Sequence, residues 1–177
     1  MQLLNKTPFI AYDELIFHKR MKDWLIKKIK TLGEHDQYKT NIRLNYAKCK
    51  VYSPWKHQRR DFDLVRHLIG NKVSEMTGSQ VWPRFDIWGV YYDGPDTHCG
   101  FHNHGKFDGY SGVYYLEADD NSGQLYLPEH DIYIEAKPNR IVVFDPSLKH
   151  GVLPSIAKDN SRVAIAFNCD AIENVVN

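Results

Sequence analysis

Several things are scarce in this chain, and each scarcity removes a class of protein. Only three of its 177 residues are cysteine, Cys49, Cys99 and Cys169, with no C-x-x-C spacing. An odd, scattered set argues against a disulfide framework and for a reducing compartment. Cys99 lies near a group of histidines, but one isolated cysteine reads first as a small buried hydrophobe. Charge of one sign is lacking too: 23 Lys and Arg balance 22 Asp and Glu, leaving a formal net charge of +1. No global field therefore draws the chain to nucleic acid or to an anionic membrane. The stretch 19–72 is basic and 117–135 acidic, and both read as solvated faces. Nowhere do 18 apolar residues run together, and Met1 to Asp13 has no apolar core behind a basic start. The expectation is a cytoplasmic protein. Internal repeats and low-complexity segments are absent as well.

What is present is apolar and aromatic. Hydrophobic residues make up 42% and aromatic residues 13%, with eleven tyrosines, a composition suited to pleated surfaces. The length fits one domain with a substantial core. After an apolar opening at Leu3-Leu4 and Pro8-Phe9-Ile10 that reads as an edge strand, two stretches carry the 3.6 period. Asp13 to Leu32 places Leu15, Phe17, Met21, Trp24-Leu25, Ile29 and Leu32 on one face and stops at Gly33. Asp61 to Thr77 does the same with Phe62, Val65, Leu68-Ile69, Val73 and Met76, and stops at Gly78. Between them, Ile42 to Tyr46 alternates and reads as a strand or a loop.

From Val81 onward the texture changes to short runs separated by turn residues. Eight strands are expected, over 85–92, 100–104, 110–117, 124–127, 132–135, 140–144, 151–153 and 162–168, with turns such as Asp93-Gly94-Pro95 and Asp119 to Gly123 between them. The pattern predicts an α+β, mainly β fold: a jelly roll, cupin-like, with two N-terminal helices packed on one sheet. Residues 1–80 form the helical support and 81–170 the core of a single domain, 1–177.

Within that core, Phe101-His102-Asn103-His104 places two histidines at i and i+2. In an extended strand both imidazoles face one point while Asn103 faces away. His150, 46 residues beyond His104, can reach the pair because a jelly roll brings non-adjacent strands face to face. Three imidazoles on one side leave the other side of a metal open to exogenous ligands, as a catalytic site requires. The remaining histidines read as surface or structural residues.

The run from Trp88 to Asn168 resembles the Fe(II)- and 2-oxoglutarate-dependent oxygenases of the double-stranded β-helix type. It is most similar to their prolyl-hydroxylase-like branch, among short oxygenases with an H-x-H and Ser-Gly-Val-Tyr-Tyr signature. The combination of motifs is more specific than any one of them. By that resemblance His102 corresponds to the first iron ligand and His150 to the distal one, while His104 stands where most such enzymes carry Asp or Glu. Arg162, twelve residues after His150, takes the place of the residue that pairs with the far carboxylate of 2-oxoglutarate, for which an Arg fork is well shaped. Tyr92 and Tyr115 resemble tyrosines that line the oxoglutarate pocket, with aromatic core packing as the other reading. Asn103 and Asn168 are candidates to orient these groups.

The histidine at 104 leaves three alternatives open: a three-His iron site, a site in which Asp108 supplies the carboxylate, or a site without oxygenase activity. The first keeps the i, i+2 geometry, whereas Asp108 lies beyond Gly105. The resemblance implies Fe(II), 2-oxoglutarate and O2, with oxidative decarboxylation to succinate coupled to hydroxylation of an unidentified substrate, a peptide side chain such as prolyl or a metabolite. Two other readings stand beside it. One is a cupin-like three-His metalloprotein in which Arg162 is structural; the other is a non-catalytic jelly-roll binding module.

Overall fold

Strands form in the second half of the chain where small sequence blocks alternate inward and outward side chains between turn residues. The structure, a computed structural model, describes residues 8–35, 49–52, 62–156 and 161–172. All eight expected strands are there: β4 (Val81–Asp93), β5 (Cys99–His102), β6 (Gly109–Ala118), β7 (Gln124–Leu127), β8 (Ile132–Glu135), β9 (Arg140–Phe144), β10 (His150–Val152) and β11 (Ser161–Ala171). Before them come β1 (Ile10–Glu14), α1 (Lys19–Leu32), β2 (Glu34–His35), β3 (Lys50–Tyr52) and α2 (Asp63–Thr77). The first 80 residues thus supply strands as well as the helical support expected there.

The first helix starts later than its apolar period suggested. Asp13 and Glu14 pair with Ile141 and Arg140 in an antiparallel ladder between β1 and β9, so their backbone groups are committed to a sheet edge. The helix begins after His18, whose Nδ1 accepts the Arg20 backbone N–H at 3.3 Å. It ends at Gly33, whose N–H reaches the Ile29 carbonyl at 2.9 Å, and α2 ends at Gly78 in the left-handed conformation, φ 69°. Leu3-Leu4 and the alternating run from Ile42 to Tyr46 lie outside the described residues.

The strands form two antiparallel sheets. The larger has the order β1-β9-β6-β11-β4-β3-β2 and the smaller β5-β10-β7-β8. Period-2 alternation divides the larger sheet's side chains between two destinations. Ile87, Tyr114, Leu116, Ile141, Val143, Val163 and Ile165 join Leu25 and Ile29 of α1 and Val65, Ile69 and Val73 of α2 in one buried cluster. Tyr115, Val142, Phe144 and Ala164, on the opposite face, pack with Leu125, Leu127 and Ile134 of the smaller sheet. Both helices therefore cover the outer face of the larger sheet, and the two sheets enclose a second interior between them.

One contact fixes how closely α1 approaches. A Cβ built on Gly89 of β4 would meet Ile29 Cγ1 at 2.5 Å, so the helix rests directly on the strand backbone. Lys30 of α1 adds an ion pair to Glu117 of β6, which also accepts the Ser161 hydroxyl. Because Ile29 is fully buried, it has nowhere to retreat. Gly89→Val is expected to destabilise the protein by about 1–3 kcal/mol through overpacking, read as a lower urea midpoint with an unchanged slope.

Candidate metal centre

The site grows out of one strand pairing. His102, the last residue of β5, and His150, the first of β10, are direct partners across an antiparallel ladder, so their side chains leave the sheet side by side. His104 follows two residues later. Its backbone N–H donates to the Pro146 carbonyl at 2.9 Å, which pins the segment after β5 to the turn that leads into β10. Ring centroids are 4.4 Å apart for His102 and His150, 5.2 Å for His102 and His104, and 5.1 Å for His104 and His150. One ring nitrogen from each of the three lies within 4.8 Å of the others.

Hydrogen bonds set the tautomers of two rings. His102 Nδ1 is 2.8 Å from the Gly100 carbonyl and His150 Nδ1 is 2.9 Å from the Leu148 carbonyl. A carbonyl oxygen only accepts, so Nδ1–H donates in each neutral ring and Nε2 keeps its lone pair for a metal. Burial, with His102 beside each, pushes His104 down to about 4 and His150 down to about 3. Both are therefore neutral donors at pH 7. Three nitrogens of this kind suit Fe, Ni, Cu or Zn, and they use only one side of the metal.

The three rings open onto a cavity of about 230 Å³ between the sheets, whose wall also includes Trp88, Tyr92, Tyr115 and Arg162. On β11, Arg162 shares its face with Ala164 and Ala166, and the two small residues leave the space that the cavity occupies. Tyr92 of β4 is the register partner of Arg162, and the guanidinium carbon sits 3.9 Å from the centre of its ring, a cation–π contact. Arg162 is 1% exposed. Its Nη1 donates to the Gly123 carbonyl at 2.9 Å, whereas Nε and Nη2 have no partner among the described residues. A buried cation with two orphan donors is costly unless an anion meets it. Burial raises the hydroxyls of Tyr92 and Tyr115 above the ordinary tyrosine range, so both remain neutral at pH 7.

Three further candidates from the sequence are placed elsewhere. Asp108 is exposed and stands outside the histidine cluster; Gly105, at φ 79°, turns the chain after His104, and the Asp108 carbonyl accepts the Ala171 N–H at 3.0 Å. Asn103 is exposed and its Oδ1 accepts the Gly105 N–H at 3.2 Å. Asn168 is buried on β11, where its Oδ1 accepts the Ser111 hydroxyl at 2.7 Å. None of the three lines the cavity. One contributor had no distinct signal in the sequence, the Gly123 carbonyl, hidden in a stretch that reads only as a turn; Cys99, which the sequence places near the histidines and reads first as a small buried hydrophobe, has its Sγ 3.9 Å from His102 Nδ1.

No family model and no curated protein matches the sequence. Solved structures do match the architecture. A viral collagen prolyl hydroxylase from Paramecium Bursaria Chlorella virus-1, in complex with 2-oxoglutarate, superposes with a TM-score of 0.62 at 16% identity, over 91% of this chain and 96% of that one. A prolyl-4-hydroxylase from Pseudomonas putida gives 0.62 at 15% identity over 94% of each chain. HygX from Streptomyces hygroscopicus, with nickel, 2-oxoglutarate and hygromycin B bound, gives 0.64 at 10% identity over 91% and 82%. The chain has the fold of the 2-oxoglutarate- and Fe(II)-dependent oxygenases. In this oxygenase fold the histidine cluster and Arg162 face one cavity between the two sheets, and no helix among the described residues is long and apolar enough to cross a membrane.

The neutral imidazoles have a consequence for stability. An unfolded chain protonates His104 and His150 near their ordinary value of 6.5, whereas the folded chain resists until about 4 and about 3. The unfolded state therefore binds more protons as pH falls below 6.5, and metal-free stability is full above that pH and drains away toward pH 4. Urea unfolding at pH 7.5, 5.5 and 4.5 is expected to show this loss, and His150→Asn to make it shallower.

Proposed function

We propose that this protein is an Fe(II)- and 2-oxoglutarate-dependent oxygenase, with His102, His104 and His150 as the metal ligands and Arg162 as the anchor of the oxoglutarate carboxylate. The observation that carries this reading is the pairing of two incomplete sites in one cavity: three converging ring nitrogens and a buried guanidinium with two unused donors. A dicarboxylate that reaches both completes both, with one end at the metal and the other on the Arg162 fork.

When bound, the metal provides the place where O2 is reduced as 2-oxoglutarate is converted to succinate and CO2 and a substrate C–H becomes C–OH. The chain's own contribution is positional and electrostatic. Tyr92 holds the guanidinium plane from one face and the Gly123 carbonyl takes one of its donors, so the remaining donors are aimed before any anion arrives. The Tyr92 and Tyr115 hydroxyls, kept neutral, add no charge that would repel a dicarboxylate. Trp88, Val90, Val113 and Phe144 give the space around the three rings a largely apolar wall, the kind of lining that disfavours stray water at a reacting centre.

The cupin-like reading without oxoglutarate leaves Arg162 as a buried charge with only the Tyr92 ring and the Gly123 carbonyl against it and no anion among the described residues, which supports the oxygenase reading over it. For the group that is hydroxylated, the prolyl hydroxylases among the fold neighbours suggest a Pro-containing peptide as the first class to screen.

2-Oxoglutarate at about 100 times its Kd should stabilise the protein by about 2.7 kcal/mol, seen as a rise in melting temperature only when Fe(II), or Mn(II) under air, is also present. Absence of that shift, and of succinate formation with every peptide tried, would count against the assignment. Arg162→Met is expected to lose the oxoglutarate response while melting at or above the wild-type temperature in its absence, because it removes a buried unpaired charge. Gly123→Ala forces a Cβ to within 2.4 Å of the Leu153 carbonyl at φ 85°. By displacing the Arg162 acceptor it should raise the Kd for oxoglutarate and leave metal affinity unchanged, as measured by calorimetric titration.

A further inference from the structure

Two of the three candidate ligands owe their closeness to a ladder that is short and interrupted. After the pair His102–His150 the next partners are Cys99 and Val152, so β5 sets two residues, Gly100 and Phe101, against the single Gly151 of β10. Such a bulge leaves one residue unpaired, disrupts the ladder locally and re-aims a side chain. The strand is four residues long and stands at the end of its sheet among the described residues. Backbone pairing of this extent leaves β5 prone to local opening unless side chains hold it down.

The Phe101 side chain, which leaves β5 at the bulge, does hold it down. A Cβ built on Gly151 would meet Phe101 Cδ1 at 2.8 Å and Cε1 at 3.1 Å, and the Cys99 carbonyl at 3.0 Å. The ring therefore lies over β10 in the space that a side chain at 151 would take, and the β5 backbone approaches as closely as a glycine permits. Beyond Gly151 the ring meets Tyr126, the register partner of Gly151 on β7, edge to face with centroids 5.8 Å apart. Tyr126 stacks in turn on Tyr133 of β8 at 4.3 Å and donates its hydroxyl to Asp131 at 3.2 Å. Aromatic contacts thus run across all four strands of the smaller sheet. Phe101 is 40% exposed, belongs to none of the buried clusters and does not line the cavity, so neither core burial nor contact with a ligand in the cavity accounts for its placement.

We infer that Phe101, seated over Gly151, is a strap that keeps β5 docked on β10 and so holds His102 opposite His150 for the metal. Both are positioning residues that act through the strand. The inference rests on the three-His metal reading above and deepens it, because it assigns the geometry of the ligand pair to two residues that touch no ligand of the metal's open side.

The test compares wild type, Phe101→Ala, Phe101→Tyr and Gly151→Ala, each as the full-length chain. Hydrogen exchange of the β5 amides is followed by NMR in the metal-free protein, and Co(II) affinity is measured by calorimetry under nitrogen. In Phe101→Ala the β5 amides should lose protection about tenfold while those of β6 and β11 keep theirs, and the Kd for Co(II) should rise by a similar factor, since apparent affinity scales with the fraction of chains in the binding-competent form. Phe101→Tyr keeps the ring and should restore both. Gly151→Ala pushes the ring aside and should reproduce both losses. A Kd within about twofold of wild type in Phe101→Ala, far short of that scaling, overturns the inference. So does weaker binding with unchanged β5 exchange, an equal loss of protection in β6 and β11, which marks a general structural role, a tyrosine that fails to rescue, or a Gly151→Ala chain that behaves as wild type. A wild-type chain that takes up no Co(II) overturns the metal reading itself. The exchange comparison needs no metal, and it separates that failure from a failure of the strap.

Discussion

The buried guanidinium of Arg162 is the constraint around which the interior between the sheets is arranged. A charged side chain 1% exposed survives there because its neighbours make a partial cradle: the Tyr92 ring against one face and the Gly123 carbonyl on one nitrogen, with small residues at 164 and 166 on the same face of β11. Each of these depends on strand register. Tyr92 faces Arg162 because β4 and β11 pair in that frame; a slip of one residue would turn the Arg toward the helices. The β6–β7 turn must also bring its Gly123 carbonyl inward, which it does with a backbone conformation, φ 85°, that L residues rarely adopt.

Seen this way, the two halves of the cavity solve opposite electrostatic problems with the same material. At one end, desolvation is imposed on a cation and left unresolved among the described residues, the deficit that the proposed dicarboxylate would fill. At the other, desolvation keeps His104 and His150 neutral, so that the site is ready for a cation without first having to shed protons. A metal and a dicarboxylate that enter together compensate each other's charge as well as the protein's.

Much of this could be read from the residues. The eight strands of the second half were legible because turn chemistry, at Asp93-Gly94-Pro95 and Asp119 to Gly123 for example, brackets each one. The two helices were legible because their apolar periods were long. The start of α1 was not, since the apolar period runs through Asp13 and Glu14 while the backbone there is claimed by β9, a tertiary partner that no local pattern reveals. The short strands β2 and β3 escaped for a similar reason: two or three residues carry no period. At the site, i and i+2 spacing pointed to His102 and His104, and a distant strand to His150. What the residues alone could not decide was where Asp108 goes, because its placement depends on the turn at Gly105. Nor could they reveal the Gly123 carbonyl, because the direction of a backbone acceptor is set by the conformation of its turn and by no side chain.

Among the described residues, the order of the smaller sheet, β5-β10-β7-β8, places His102 on an outermost strand only four residues long, paired on one side and free of a ladder on the other. Such a strand is among the first parts of a sheet to open. In the proposed metal centre, an ion held by His102 and His104 on that margin and by His150 on the neighbouring strand would act as a clasp across one border of the chamber. Loading the metal and finishing the fold would then be a single event, and the chamber would be fully walled only when it is also armed.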